Sequence, residues 1–350
     1  MSKIIFLGDI HIGARTASPI IADFQIRFFE EVLFPYMLEN NITKILQFGD
    51  MFDSRKFSNH VILYKWKTRV FDYMRDNNIN IISILGNHDI AARNSLEVNA
   101  PELFLKEYNN IKIINEVTES KIGDINFLLV PWICSENREK VAEFIKNTDC
   151  IYCAGHFEFD GFEMHKGQKS VGGDSIKGYN KFDSVFSGHY HTRSKSGNIQ
   201  YLGTPFEMSW IDYGDKKGFH VFDCKNHKIK FIENPLTLFN RIEYDDRDKE
   251  PNYIISSLKD TYVKIVVINK TNPSKFEKVV NRILMIGPAD LKITDIEIGF
   301  DDVEVDDTID ISDTKTLMES FVTQIECDLK KDKLNDILNG LYIKALEVVD

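Results

Sequence analysis

The chain has 350 residues, 43% of them hydrophobic, which is enough for one large domain and one or two small ones. It has no run of about 18 apolar residues, which excludes a membrane-spanning helix, and its first residues (MSKIIFLGD) lack the pattern of a signal peptide. The formal net charge is −11, but residues 300–313 hold seven acids and no Lys or Arg, so bulk charge excludes no phosphate-rich ligand. We expect a cytoplasmic protein that does not enter membranes.

The cysteines indicate a reducing compartment rather than a metal site. Their number is odd, five, in a chain without a secretion signal, which favours free thiols. Cys150 and Cys153 form a C-x-x-C, but a zinc site needs four ligands and no second pair follows at a matching spacing. The surrounding CIYCAG is typical of a buried strand, so we interpret the pair as structural.

Residues 1–191 repeat one pattern, in which an apolar run is followed by a glycine and then by a residue that can bind a metal. Between the first three runs, residues 24–38 and 61–74 have helical apolar spacing. The alternation predicts an α/β fold with a largely parallel sheet, whose carboxyl-terminal edge would gather the polar residues at one site. The pattern occurs in KIIFLGDIH (3–11), KILQFGD (44–50), IISILGNHD (81–89), CIYCAGH (150–156) and SVFSGHYH (184–191).

The segments after residue 191 predict further strands and a small unit. Residues 198–203, 218–224 and 228–234 are expected to form a second sheet that contains antiparallel strands. A strand at 262–269, a helix at 273–285 and a strand at 291–298 predict a compact α+β cap. The predicted domains are 1–235, 236–299 as the cap, an acidic linker at 300–313 and a helical segment at 314–350.

The last segment contains two amphipathic helices, and two interpretations of them are open. They pack on each other or on the cap, or they dock a partner protein. We favour docking, because an acidic tether separates them from the body and two short helices make a poor core alone.

The polar residues at the strand ends combine carboxylate, imidazole and amide donors, a set that suits divalent Mn, Fe or Zn ions. The set is too large for one ion, and two ions about 3.5–4 Å apart require a bridging carboxylate. Any single motif is equally compatible with turn chemistry, and a histidine pair with strand packing, but five motifs together favour a metal centre. The residues are Asp9, His11, Asp50, Asn87, His88, Asp89, His156, His189 and His191.

These motifs, GDIH, GD, GNHD, GH and GHYH, resemble in order and spacing those of the calcineurin-like metallophosphoesterases. GDMFDSRKFS, GHFEFDGF and YLGTPFEMSW are similar to the SbcD-type recombination and repair nucleases. The chain length, PWICSEN, MHKGQKS and the acidic C-terminal region resemble the nuclease subunit of T-even-type bacteriophages. The motifs cover residues 1 to about 210, and the resemblance implies a β-sandwich flanked by helices, with a small α+β cap and C-terminal helices.

The resemblance also implies a role for each site residue. Asp9, His11, Asp50 and His191 would hold one ion; Asp50, Asn87, His156 and His189 would hold a second, with Asp50 bridging. His88 would assist phosphate binding or departure of the 3′ oxygen, and Asp89 would orient His88. The ions would be Mn²⁺, with Mg²⁺ or Fe²⁺ as alternatives.

The implied activity is a 3′→5′ exonuclease on double-stranded DNA and an endonuclease on single strands, acting in recombination and repair. The implied partners are DNA, a coiled-coil ATPase of the SMC-like (SbcC) type docked on residues 314–350, and a second copy of the chain that contacts residues near 61–74. A phage origin would place the protein in the host cytoplasm.

Two other functions are considered. A phosphatase of the same superfamily would resemble GDxxDRG and GNHE, whereas the strings here are GDMFDSR and GNHD. A non-catalytic DNA-end binding subunit is the other. Asp53 is interpreted as a turn or helix cap. Candidate DNA contacts, with a solvated loop as the alternative, are Arg55, Lys56, His165, Lys166 and Lys169.

Overall fold

The computed structural model describes residues 3–165, 168–170, 173–247 and 258–295. Two six-stranded sheets pack face to face, helices cover their outer faces, and a small sheet follows in the chain. This arrangement confirms the predicted α/β β-sandwich flanked by helices. The predicted acidic linker and C-terminal helices lie outside the described residues, and the four predicted domain bounds stay predictions.

The first sheet contains the first three repeats of the sequence pattern. Its central strand, Lys3–Leu7, pairs in parallel with Lys44–Gln47 and antiparallel with Gly218–Asp223. The carboxyl ends of its parallel strands therefore lie along one edge. The strand order is Lys228–Glu233, Gly218–Asp223, Lys3–Leu7, Lys44–Gln47, Asn80–Ile84 and Ile111–Ile114.

The second sheet contains the last two repeats, so the pattern is divided between two sheets. Its four inner strands are parallel and its two outer strands are antiparallel to their neighbours. The strand order is Ser194–Ser196, Ile199–Tyr201, Ser184–Ser187, Tyr152–Gly155, Ile125–Val130 and Thr118–Ile122.

The prediction that residues 198–203, 218–224 and 228–234 form the second sheet together is wrong. Only Ile199–Tyr201 belongs to it, whereas the other two strands extend the first sheet beside Lys3–Leu7. The pattern missed Ile125–Val130, because this apolar run leads into Pro131 instead of a glycine and a metal-binding residue.

Strand alternation explains the layers. In Lys3–Leu7, Ile4 and Phe6 point into the space between the sheets, and Ile5 and Leu7 pack against the helices. The rings of Phe6 and Phe222 stack 5.2 Å apart, and Phe6 also meets Phe127 and Phe186 of the second sheet. Phe6 therefore joins the two sheets at the centre of the sandwich.

Two long helices cover the first sheet at the predicted positions, and each contains a π-helical middle. The Ser18 hydroxyl accepts from the amide of Ile21 and caps the first helix, and the Asn59 side chain caps the second. Their segments are Pro19–Phe28, Phe29–Leu33 and Phe34–Glu39, then His60–Trp66, Lys67–Phe71 and Asp72–Asp76. The other α-helical segments among the described residues are Ala14–Ala17, Ala100–Leu105, Arg138–Asn147 and Pro273–Ile286.

The described residues also contain short 3₁₀ helices and two hairpins. The helices are Ile176–Tyr179 and Trp210–Asp212. The hairpins pair Ile90–Ala92 with Ser95–Asn99 and Glu163–His165 with Gln168–Lys169.

A small sheet with its own hydrophobic core occupies the region predicted to form the cap. Its three parallel strands are Phe239–Asp245, Tyr262–Asn269 and Asp290–Asp295. The helix Pro273–Ile286 connects the last two and ends at Gly287, whose φ of 81° suits a glycine. The predicted strand at 291–298 is thus observed as Asp290–Asp295, and residues 296–298 lie outside the described residues.

Glu207 attaches the small sheet to the sandwich. Its carboxylate Oε2 accepts from the backbone amides of Leu238 at 2.6 Å and Phe239 at 3.0 Å, where the first small-sheet strand begins. The side chain is buried, so these two hydrogen bonds replace its water. The start of the small sheet is therefore held by a residue of the YLGTPFEMSW segment.

None of the helices among the described residues is long and apolar enough to cross a membrane.

Phe6→Ala should lower the free energy of unfolding by about 3–5 kcal/mol, because it leaves a cavity between the two sheets. The sheets cannot move together to fill this cavity, since the surrounding side chains hold them apart. Urea unfolding followed by circular dichroism measures the change. Leu38→Ala is the control, since Leu38 is 73% exposed and its loss should change the value by less than about 0.5 kcal/mol. Equal effects of the two substitutions would contradict the central role of Phe6.

Candidate metal centre

The structure brings the candidate metal ligands together at one edge of the sandwich. They come from the carboxyl ends of strands in both sheets: Asp9, His11, Asp50 and Asn87 from the first, and His156, His189 and His191 from the second. The two sets are in direct contact, since Oδ1 of Asn87 lies 3.1 Å from Nδ1 of His189. The site is thus built across the two sheets.

Six of these side chains form two compact groups. Ligand atoms of Asp9, His11 and His191 lie within 4.8 Å of one another, and so do those of Asp50, His156 and His189. In the first group, the Nε2 atoms of His11 and His191 are 3.1 Å apart. Two imidazole nitrogens at this distance can share a proton or a cation. Each group therefore has the mixed O and N donors of a divalent-ion site.

Asp50 stands between the two groups. Its Oδ2 lies 3.2 Å from Nε2 of His156 and 3.8 Å from Nε2 of His11, and its Oδ1 accepts from the backbone amide of His88 at 2.8 Å. Asn87 approaches the second group, with Oδ1 3.0 Å from Nε2 of His156. One carboxylate oxygen thus faces histidines of both groups, which is the placement that a bridging ligand requires.

Burial and mutual charge set the protonation of the centre. Burial raises the pKa of Asp9 to about 7. Burial alone would lower the pKa of His11, but Asp53 and the other nearby carboxylates outweigh it and raise that pKa to about 10. Burial also acts to lower the pKa of His156, but the nearby carboxylate of Asp50 outweighs it and raises that pKa to about 9. For His189, burial and the neighbouring His156 together lower the pKa to about 3. A cation would replace these protons, because metal ligands must be deprotonated.

The backbone at the ligands is strained. His11, Asp50 and His189 have φ of 51°, 51° and 83°, values that non-glycine residues adopt only where the surroundings enforce them. Gly188 is also required, because a Cβ at this position would overlap with the carboxylate of Asp9 and the carbonyl of Phe48. The glycines of the sequence pattern therefore allow the strand ends to approach one another closely.

Buried polar partners hold the ligands in place. Nδ1 of His156 donates to the carbonyl of Phe48 at 2.7 Å, which leaves Nε2 for the centre. The Gln25 amide, fully buried, donates to the carbonyl of Ile10 at 2.9 Å, beside His11. The sequence analysis did not single out Gln25, since it lies within a regular apolar helical stripe.

His88 and Asp89 do not make the predicted contact, so the proposed orienting role of Asp89 is wrong. Nδ1 of His88 lies 2.7 Å from the backbone carbonyl of Asp53, which fixes the ring instead. The buried carboxylate of Asp89 accepts from the amides of Phe52 and Gly86, both at 2.9 Å. Because neighbouring side chains in the GNHD turn point to different sides, Asp89 braces two loops and His88 faces the centre.

Asp53 has a second contact that the sequence analysis missed. Its Oδ1 lies 3.0 Å from Nδ1 of His11, within ion-pair distance although without hydrogen-bond alignment. A carboxylate beside the second nitrogen of a ligating histidine fixes the ring and raises its basicity. The spacing from Asp50 carried no such signal, because the contact joins residues 42 positions apart in the chain.

The candidate DNA contacts are placed in two regions. The Arg55 side chain is partly buried and donates from Nε to the carbonyl of Asn87 at 2.7 Å, so it braces the GNHD turn, and Lys56 is exposed nearby. His165 and Lys169 lie on the hairpin Glu163–His165/Gln168–Lys169, and Lys166 lies outside the described residues.

Comparison with known proteins agrees with this geometry. The family described as calcineurin-like phosphoesterase matches residues 2–193, which include every ligand of both groups. The chain belongs to this family. The match ends just after His191, so the small sheet lies outside it.

Three curated relatives narrow the comparison. Exonuclease subunit 1 of Enterobacteria phage T4 is 32% identical over 99% of this chain and 100% of its own length. The SbcD component of the nuclease SbcCD of Staphylococcus epidermidis is 22% identical over 96% of this chain and 99% of its own length. The DNA double-strand break repair protein Mre11 of Saccharolobus solfataricus is 27% identical over 38% of this chain and 34% of its own length. The predicted resemblance is thereby confirmed.

The donor set fits the divalent metal ions that this family implies. Two buried carboxylates, four imidazoles and one amide oxygen converge without a Lys or Arg among them. Burying Asp9 and Asp50 without a cation is costly, and a pair of divalent ions would offset that cost. The C-x-x-C of Cys150 and Cys153 is separate, since both thiols are buried and burial raises their pKa values.

Proposed function

We propose that the chain is a two-metal DNA nuclease that degrades duplex ends in the 3′→5′ direction and cuts single strands, with Mn²⁺ as its metal. The observation that carries the proposal is the pair of ligand groups that meet at Asp50, in a chain similar over its full length to a phage exonuclease subunit. We further propose that it acts in DNA recombination and repair in the cytoplasm, which is the host's if the chain is phage-encoded. Mg²⁺ or Fe²⁺, the alternatives to Mn²⁺, would bind to the same ligand atoms.

In this proposal Asp9, His11 and His191 would hold one ion, Asn87, His156 and His189 would hold the other, and Asp50 would contribute to both sites. When bound, the two ions supply a nucleophile from water at neutral pH and offset charge on the phosphate. The water oxygen bonds to phosphorus and the bond to the 3′ oxygen breaks, which gives a 5′-phosphate and a 3′-hydroxyl.

His88 would deliver the proton to the leaving 3′ oxygen. Its Nδ1 is engaged by the Asp53 carbonyl, so Nε2 is the nitrogen that can meet a substrate. Its ring lies 5.0 Å from that of His11 and is only partly buried, which places it between the centre and solvent. A positioned imidazole of this kind contributes about 10²–10⁴-fold to a proton transfer.

The small sheet supports DNA, rather than a small phosphate ester, as the substrate. Arg241 pairs with Lys264 and Lys264 pairs with Lys292 in the strand register, so three cations stand in one row across one face. Lys and Arg side chains grouped in this way suit the phosphate backbone of DNA, which cations bind electrostatically and without regard to sequence. Lys264 Nζ also lies 4.6 Å from the ring centre of Trp210, in the segment that leads back to the centre.

This row, which we call the cation row, is the proposed contact of the small sheet with DNA. Glu243 offsets part of its charge, since its carboxylate lies 3.3 Å from Arg241. Arg55 and Lys56, close to the GNHD turn, and also His165, Lys166 and Lys169 remain proposed contacts with the DNA backbone.

Two protein partners are proposed. An SMC-like coiled-coil ATPase would dock on the helices predicted in residues 314–350. A second copy would pack on the helix His60–Trp66, where Val61 and Tyr64 are 66% and 68% exposed and Phe57 just before it is 81% exposed. Large apolar side chains grouped on one exposed face are typical of protein interfaces.

His88→Ala should lower kcat for cleavage of end-labelled duplex DNA by about 10²-fold or more while two ions stay bound, because the proton donor is lost and the ligands are kept. Cleavage assays with Mn²⁺ and elemental analysis of the purified variant measure the two quantities. The exposed His227, replaced by Ala, is the control and should have no effect. If the wild-type chain hydrolyses small phosphate esters but leaves DNA intact, the phosphatase function is favoured. If the His88→Ala variant cleaves DNA at the wild-type rate, the proposed role of His88 is refuted.

Replacing Arg241, Lys264 and Lys292 by Ala should weaken duplex binding and reduce the salt dependence of log Kd by about 0.9 per lost phosphate contact. Fluorescence anisotropy across a KCl series measures both effects. The control removes three exposed lysines from the distal hairpin, Lys225, Lys228 and Lys230, with the same change in net charge. Equal losses in the two triple variants would mean that only net charge matters.

Different mutations should disrupt each of the two proposed protein interfaces without affecting the other. Removing residues 300–350 should abolish binding of the ATPase and preserve the dimer, whereas Val61→Glu with Tyr64→Glu should give a monomer that still binds the ATPase, since charge cannot be buried in an apolar interface. Light scattering of the chain alone and with the ATPase measures both states. A truncated chain that binds the ATPase with unchanged affinity, or a dimeric double variant, would contradict the assignment.

A further inference from the structure

Lys217 is a buried lysine directly behind a candidate metal ligand. The residue is 4% exposed, and its ammonium group donates to the backbone carbonyl of His191 at 3.0 Å. It also forms ion pairs with Asp212 Oδ1 at 2.6 Å and Asp215 Oδ2 at 3.1 Å. Two carboxylates and one carbonyl thus surround the buried ammonium group. Neither the sequence pattern nor the proposed chemistry assigns a role to this lysine.

The His191 carbonyl is the point at which several segments meet. It also accepts from the backbone amide of Thr204 at 3.1 Å. Asp212, the other end of the Lys217 contact, accepts through Oδ2 from the amides of Met208 at 2.9 Å and Ser209 at 3.0 Å. Lys217 thus ties the turn that contains the 3₁₀ helix Trp210–Asp212 to the loop that carries His191.

Stability alone does not account for this cluster. Burying a lysine and two carboxylates costs desolvation, and apolar residues of similar volume serve equally well or better where only packing matters. What an apolar side chain cannot do is donate a hydrogen bond to a chosen carbonyl. The specific consequence of Lys217 is therefore the position of the His191 backbone, from which the imidazole reaches Nε2 of His11 at 3.1 Å.

We propose that Lys217 is a positioning residue for the metal group formed by Asp9, His11 and His191. By holding the His191 carbonyl, it fixes the distance of one imidazole from the other two ligands. The second group does not include His191, and its histidines are braced elsewhere, as His156 is by the Phe48 carbonyl. The effect of Lys217 is thus confined to one of the two ions. This inference rests on the proposed two-metal centre.

Calorimetric titration of the full-length, metal-free chain with Mn²⁺ tests the proposal. Lys217→Met keeps the length and apolar stem of the side chain but removes its donors. It should weaken one of the two Mn²⁺ binding steps by about 10- to 100-fold, as loss of an outer-shell hydrogen bond does, and leave the other within about twofold. Lys216→Met is the matched control, because this neighbouring lysine is exposed and its ammonium group pairs with Glu233 at 2.9 Å, away from His191.

Lys217→Met leaves the Asp212 carboxylate buried without its cation, so a second variant guards against misfolding. Lys217→Met with Asp212→Asn removes both charges, and an Asn oxygen can still accept from Met208 and Ser209. The same selective loss is expected in this double variant. Thermal unfolding of each metal-free variant separates general destabilisation from the effect on one ion.

Four results would be decisive. Selective weakening of one step supports the positioning role. Wild-type affinity at both steps, or equal weakening of both together with a lower melting temperature, overturns it. A wild-type chain that binds fewer than two Mn²⁺ ions overturns the two-metal function on which it rests, and this outcome is visible before any variant is made.

Discussion

Two buried carboxylates surrounded by imidazoles are the constraint on which the rest of the molecule depends. Asp9 and Asp50 are each 1% exposed, and their neighbours in the centre are histidines rather than Lys or Arg. Such a group is stable only if protons or cations balance it, and the geometry must keep every donor available for that purpose. The strained backbone at His11, Asp50 and His189 and the cost of burying Gln25, Asp89 and Lys217 are all explained by this requirement.

The two-sheet architecture answers the requirement in a way that one sheet could not. One parallel edge can present its strand ends only in a row, whereas two facing edges surround a small volume from both sides. Phe6 and its aromatic neighbours fix the distance between the sheets, and glycines such as Gly188 let the loops approach until the ligands of one sheet touch those of the other. Buried polar groups brace the loops that carry the ligands, with Gln25 beside His11, Asp89 between two loops and Lys217 behind His191, so the rigidity of the centre is distributed.

Much of the centre could be predicted from the sequence, because its residues follow strands directly and the chain order of the motifs is specific. The predicted ligands Asp9, Asp50 and His156 lie together as expected. The helices that cover the first sheet and the small α+β unit occur in the predicted segments. What failed depends on contacts between distant segments. Asp89 was assigned to His88 because the two adjoin in sequence, although their side chains diverge. Strands near 218 and 228 were assigned to the wrong sheet, because pattern reveals a strand but not its neighbour.

The segment from Thr204 to Lys217 has a consequence for how such a chain can vary. The amide at its beginning and the ammonium group at its end both bind the His191 carbonyl, and Glu207 within it holds the start of the small sheet. Its length is therefore fixed at both ends. Insertions and deletions that the exposed hairpin turn near Asn226 can absorb would here displace a donor or the small sheet. Among related chains, this stretch should vary in residue type but keep its number of residues.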